Sequence, residues 1–261
     1  MKEFIIDENL KIEKALYKYS KLKKDKSFFK NKIKIKDNKI IEEFTNVFAS
    51  SFYSIFIEEK FKINEIKLEE IKRRYKSYEV DKNFSLIKYK NITNDSKKLR
   101  NSKNLICTCE GIFVGFMGIT TVIADIPVFL KIINDLILQI KNSYGFSYDD
   151  EFEKYIKIKF LQFYFIKDIK ILNEIFYILE NRDYIKKFDL KEEVFSCAKL
   201  IANSIFVARS IQSIPVAGSL VGGVYNLKTI KDIGTIADLI YKKRFINDVY
   251  YNEYKKYIKI I

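Results

Sequence analysis

All eight glycines of this 261-residue chain lie between Gly111 and Gly234, and both prolines, Pro127 and Pro215, lie there too. The first 110 residues contain neither type. Tight turns are built largely from Gly, Pro, Asn and Asp. A chain this poor in Gly and Pro lacks the turns that a sandwich, a barrel or an alternating α/β fold demands. Long helices remain. With 48% apolar residues the chain is globular, and its length is enough to bury a core. The expectation is an all-α fold: a single helical domain.

Apolar periodicity locates the helices. Ile40, Ile41, Phe44, Val47, Phe48, Phe52, Ile55 and Phe56 recur at three and four and predict a helix over 40–60. Similar patterns predict helices over 8–20, 63–78, 151–165, 169–179, 191–211 and 227–245, with a helical tail over 246–261. Residues 80–94 carry some β character, and Asn94 or Asp95 reads as the N-cap of a helix beginning at Ser96. Asp125, two residues before Pro127, reads as the N-cap of a helix running to Tyr144, which stops at Gly145. Asp149 or Asp150 is expected to cap the helix after it.

Two apolar segments carry small residues at helical spacing. Gly111 and Gly115, with Gly118 beyond, mark the first; Gly218 and Gly222, with Gly223 beside them, mark the second. Such spacing lets helix backbones approach closely, in a soluble core or in a membrane. The two segments are expected to pack together centrally. Gly111–Ala124 is uncharged but only 14 residues long. As a helix that is about 21 Å, against a hydrocarbon core of about 30 Å. A simple spanning helix is not expected.

The formal charge is +14, of which residues 1–100 carry +10. Lys21–Lys36 holds eight lysines and one aspartate. Nucleic acid and an anionic membrane are the partners such charge suggests. Six arginines against 42 lysines weigh against nucleic acid, because arginine is the preferred residue for bidentate phosphate and base contacts. Tyrosines interleaved with lysines in the C-terminal tail suit a membrane interface.

Catalytic chemistry finds little support. There is no histidine, so the commonest general base and the commonest zinc ligand are both missing. Cys107, Cys109 and Cys197 form no C-x-x-C pair, and a reduced intracellular setting fits them. The N-terminus, MKEFIIDENLKIEK, has no secretory apolar region. Gly218 and Gly223 match the outer glycines of a phosphate loop, but Val224 and Tyr225 stand where its lysine and hydroxyl belong. Glu110, Asp125 and Asp135 are the acids of the apolar region. Their structural roles, as a cap or on wet faces, outweigh acid–base work. No catalytic, cofactor-binding or metal residue is assigned.

Glu110-Gly111 with the spaced glycines, Ala124-Asp125-Ile126-Pro127, Tyr144-Gly145-Phe146 and the acidic Asp149-Asp150 resemble the EcsC family of bacterial proteins. Ile214-Pro215 with Gly218, then Gly222-Gly223, Asn226 and Lys243-Arg244-Phe245 are similar to its C-terminal signature. The resemblance covers about 95–250. It divides the chain into a basic, mostly helical extension (1–94), a helical core (95–250) and a short helical tail (251–261), within one structural domain. It implies a mostly helical protein treated as membrane-associated or transport-linked, with no agreed activity. The signature positions are Glu110, Gly111, Gly115, Gly118, Asp125, Pro127, Gly145, Pro215, Gly218, Gly222, Gly223 and Asn226.

The resulting expectation is a non-enzymatic accessory protein without a cofactor. Its setting is cytoplasmic, peripheral at the inner face of the cell membrane, with an anionic membrane surface and a membrane transporter, an ABC exporter, as partners. The alternatives are a soluble carrier of an apolar or lipid ligand, and an enzyme using Glu110 or Asp125.

Overall fold

The computed structural model describes residues 2–21, 38–58, 89–98, 119–146, 151–200 and 217–258. The described residues form helices joined by turns, with no strand among them. In chain order the helices are α1 (Lys2–Lys21), α2 (Asn38–Phe56), α3 (89–98), α4 (Ile119–Ser143), α5 (Glu151–Ile166), α6 (Ile169–Glu180), α7 (190–200) and α8 (Ala217–Ile258). A 3-10 turn, Arg182–Lys187, follows α6. The expected helix at 63–78 and the caps at Asp149 or Asp150 lie outside the described residues.

The 42-residue α8 is the spine, packing on α1, α4, α5 and α6, while α2 packs on α4 and α5 on α6. At 1.5 Å per residue α8 is about 63 Å long. It runs antiparallel to α5, with Arg244 beside Glu153 at one end and Thr229 beside Tyr164 at the other. It is also antiparallel to α1, since Lys243 reaches Asn9 and Glu13 while Tyr19 bonds Asp232. The buried faces repeat at three and four: Ile5, Ile12 and Leu16 on α1; Phe48, Phe52, Ile55 and Phe56 on α2; Ile233, Ile236, Ile240 and Tyr241 on α8. Each such side chain stabilises the fold by about 1.5–3 kcal/mol on burial. In α5 twelve of the sixteen residues are buried, and the other four, Glu151, Lys154, Gln162 and Ile166, lie along one side.

Two expected helix starts do not hold. Asp125 is not a cap, because α4 is already helical at Ile119 and runs through Pro127. Proline removes one N–H and crowds one carbonyl, a cost of about 3 kcal/mol. Ile126, Phe129, Leu130, Ile133, Leu136, Ile137 and Ile140, all buried, keep the helix continuous past it. Nor do Asn94 and Asp95 start a helix, since both lie within α3. There Tyr89, Ile92 and Ser96 fall on one buried face, and packing overrides the capping preference.

The stop at Gly145 is observed in detail. The Gly145 N–H donates to Asn142 O at 2.9 Å and the Phe146 N–H to Lys141 O at 3.3 Å. This is the paired pattern that closes a helix through a left-handed residue. Gly145 has φ +84°. A Cβ placed there meets no atom within 4 Å, so its cost is conformational and not steric. Gly145→Ala should lower stability by about 1–2 kcal/mol without changing the fold, as measured by urea unfolding.

α7 packs through Val194, Cys197 and Ala198, and the Cys197 thiol lies 3.8 Å from Ile158 O of α5. Burial pushes that thiol up to about 12, from an ordinary value near 9. Below pH 9 both the folded and unfolded chains hold the proton. Above it only the unfolded chain releases it, so folding free energy falls by up to about 1.4 kcal/mol per pH unit for this one group. Burial also raises the Tyr89 and Tyr155 hydroxyls, which act in the same direction. Stability should therefore decline between about pH 9 and 12, and Cys197→Ala should make the decline shallower in urea titrations across that window.

Candidate functional site

The signature residues divide by location. Glu110, Gly111, Gly115, Gly118 and Pro215 lie outside the described residues. Asp125 lies in α4, and Gly218, Gly222, Gly223 and Asn226 lie in the first turns of α8, with side chains outside the described set. Pro127 is half-buried within α4 and Gly145 forms the turn after it. The packing of the two glycine segments on each other falls outside the described residues.

What the structure brings together instead is a seam of charge along α8, from Asp238 to Asp248. Asp238, Lys243 and Arg244 are buried there. Helical geometry points them in three directions. Asp238 Oδ1 accepts hydrogen bonds from Ser96 of α3 and from Tyr144 at the end of α4, both at 2.6 Å. Its other oxygen lies 3.8 Å from Lys242 Nζ. One carboxylate thus ties α3, α4 and α8 together.

Lys243 turns toward α1 and α6. Its ammonium donates to Glu13 Oε1 at 2.7 Å and Asn9 Oδ1 at 3.1 Å, and sits 4.8 Å from the Phe176 ring centre. Arg244 turns toward α5 and pairs with Glu153, which is 1% exposed and also accepts from Tyr241 at 3.2 Å. The guanidinium lies over Phe146 at 3.9 Å and Phe152 at 4.9 Å. Its Nε is 3.7 Å from Asp248, which takes both its oxygens to Arg182 Nη2. The chain of charge therefore runs from a buried acid to half-exposed Arg182. A separate staple uses Lys159, 7% exposed, held between Glu174 at 3.0 Å and Glu193 at 3.2 Å.

The chemistry open to this seam is narrow. Glu153 and Asp238 are buried carboxylates, yet each is already engaged by a cation and by hydroxyl donors. Among the described residues no group of three or more His, Cys, Asp or Glu side chains is placed to hold a metal. The seam reads as the device that fixes helix positions. Asn247, one turn beyond Lys243, is buried, and its amide has no hydrogen-bond partner among the described residues.

Periodicity missed Glu153 and Asp238, since charged residues are ordinarily assigned to wet faces. The available signal was their setting: Phe152 and Tyr155 flank Glu153, and Ile236, Ala237 and Ile240 surround Asp238. Lys243-Arg244-Phe245, noticed for its resemblance, lies in the middle of the seam.

The EcsC protein family profile matches residues 7–246, nearly the whole chain. The chain belongs to the EcsC family. The matched span takes in most of α1, whose Ile12 and Leu16 are buried in the common core. One relative is Protein EcsC of Bacillus subtilis (strain 168), 28% identical over 153 residues, 59% of this chain and 63% of that protein. The match thus spans less than two thirds of the relative's length. No solved structure matches the chain.

The seam makes a direct prediction. Removing one member of a buried ion pair leaves the other charge uncompensated, at a cost of about 3–5 kcal/mol. Glu153→Gln should lose that much stability. Adding Arg244→Met to it should recover part of the loss, giving a non-additive cycle in chemical denaturation. Strict additivity would mean that the pair does not hold α5 on α8.

Proposed function

We propose that the protein is a non-enzymatic accessory factor that binds peripherally to the inner face of the cytoplasmic membrane and acts beside a transporter. Membership of the EcsC family supports the setting, and the engagement of Glu153 and Asp238 by their own partners supports a structural reading of the acids. The observation that carries the membrane part is the surface of α1. Lys11, Lys14, Lys18 and Lys21 recur at three and four and are all exposed, with Lys11 paired to Asp7. The sequence then continues through the lysine-dense stretch to Lys36. No helix among the described residues is long and apolar enough to cross a membrane. Electrostatic attachment is what this combination supports, at about 1 kcal/mol per basic residue close to an anionic leaflet.

Flotation with liposomes tests the reading. The protein should rise with vesicles containing phosphatidylglycerol at low ionic strength, remain below with phosphatidylcholine alone, and detach in high salt as the charges are screened. Protein that stays at the bottom with anionic vesicles at low salt overturns it.

A further inference from the structure

The lysines are not spread evenly over the folded surface. The C-terminus of α1, the turn between α5 and α6, and residues 228–232 of α8 meet on one surface. Lys21 and Ser20 of α1 line a shallow depression with Lys167, Asp168 and Ile169 of the turn. Lys167 also lies close enough to Asp232 to act on its carboxyl, as do Lys228 and Lys231, and Tyr19 donates a hydrogen bond to it. Lys167 thus links the two groups into one surface. Lys18 and Lys170 extend it, and both are exposed. Six lysines stand there with two acids, Asp168 and Asp232. On the same surface Ile169 is 45% exposed.

Folding explains only part of this arrangement. Lys18 and Lys21 occupy the last turn of α1 and Lys167 follows the last turn of α5, where cations complement the helix dipole. Lys167 closes α5 in a left-handed conformation, φ 55°, its N–H donating to Phe163 O at 2.8 Å. That conformation is ordinarily left to glycine. Lys170 lies in the first turn of α6, where a cation opposes the dipole. Its N–H is held at 2.9 Å by Asp168, which caps the helix. Stability alone favours glycine at 167 and an acid at 170, and the chain carries lysine at both.

We propose that this surface is the face that docks on an anionic bilayer, its lysines meeting lipid phosphates while Ile169 reaches the headgroup boundary. The inference rests on the peripheral-membrane reading above and adds the surface that performs it. Lysines on the same surface as an exposed aliphatic side chain, with Lys21 and Lys167 lining one depression with Ile169, match a plane of phosphates over hydrocarbon. Duplex nucleic acid offers phosphates without that apolar layer, so Ile169 favours the bilayer. The sequence beyond Lys21 adds Lys23, Lys24 and Lys26 directly after the face.

The test uses the full-length protein and phosphatidylglycerol-containing vesicles in a sedimentation assay. The variant Lys21→Gln/Lys170→Gln/Lys231→Gln should lower the vesicle partition coefficient on the order of a hundredfold, about fivefold for each charge. Lys90→Gln/Lys186→Gln/Lys187→Gln alters three exposed lysines away from this face and should change it no more than a few-fold. Asp232→Asn should tighten binding. Ile169→Ser should weaken it at high salt, where the electrostatic part is screened. Melting curves that match wild type show that losses are not unfolding. Equal losses in the two triple variants overturn the docking face while leaving membrane binding intact. Absence of wild-type binding instead removes the reading beneath it. Loss of affinity for duplex DNA, with vesicle binding unchanged, overturns the bilayer as occupant.

Discussion

Placing Arg244 against Glu153 between α8 and α5 commits the rest of the helices to their positions. A charge moved out of water is stabilised only where an opposite charge and donors meet it with good geometry. The two helices can therefore slide or rotate very little. Tyr241 joins the same carboxylate, and Phe146 and Phe152 cover the guanidinium. Phe146 belongs to the turn after α4, so the pair also fixes where α4 ends. Apolar contacts supply most of the free energy of a helical fold but are tolerant of small shifts. The ionic contacts of α8 are not, and they select one arrangement among many similar packings.

The same logic explains how the two cations are distributed. Among the described residues the arginines are Arg182 and Arg244, and both belong to the network around Asp248. Arginine's planar fork and weak hydration suit buried pairing and stacking on aromatic rings. Lysine is used elsewhere, mostly on exposed positions, where a strongly hydrated point charge is adequate. Lys141, Lys157, Lys159 and Lys243 are the buried exceptions, and Lys243 and Lys159 show how the charge is met. Each of these two is met by carboxylate oxygen and an aromatic face. Scarcity of arginine in the composition thus weighs against base recognition, while the two described arginines stand where planar pairing and ring stacking are used.

Helices whose apolar faces repeat cleanly were legible from the sequence. The expected spans 151–165 and 169–179 lie within a residue of Glu151–Ile166 and Ile169–Glu180. The stop at Gly145 was legible because a positive φ after a helix is a local demand that glycine answers. The starts at Asp125 and Asn94 were misread for the opposite reason: a local preference was outweighed by packing along a longer segment. The burial of twelve of the sixteen residues of α5 could not be read from spacing. Lys157 and Lys159 suggest a wet face, and only the partners Glu174 and Glu193, from two other helices, show how Lys159 is buried. The seam on α8 was hidden in the same way, since its neutralising groups come from α1, α3, α5 and the turn after α4.

Charge is therefore treated in two opposite ways along one helix. Toward Asp248 on α8, Lys243 and Arg244 find their counter-charges on α1 and α5, and Asp238 pairs with Lys242 of α8 itself while Ser96 and Tyr144 donate to it. At the Lys228–Lys231 end the lysines outnumber the acids, and burial disfavours the ionised form of Asp232 despite the three lysines close to it. A chain selected for stability alone has no reason to gather cations from three helices on the surface that holds one exposed isoleucine. Like charges brought together destabilise the folded state, by an amount that grows as ionic strength falls. The cost is tolerable because the seam farther along α8 holds α1 and α6, which carry Lys18, Lys21 and Lys170, through Lys243, and holds α5, which leads into Lys167, through Arg244. The rigidity of the seam and the charge of the lysine surface are thus parts of one design: the first holds the second in place.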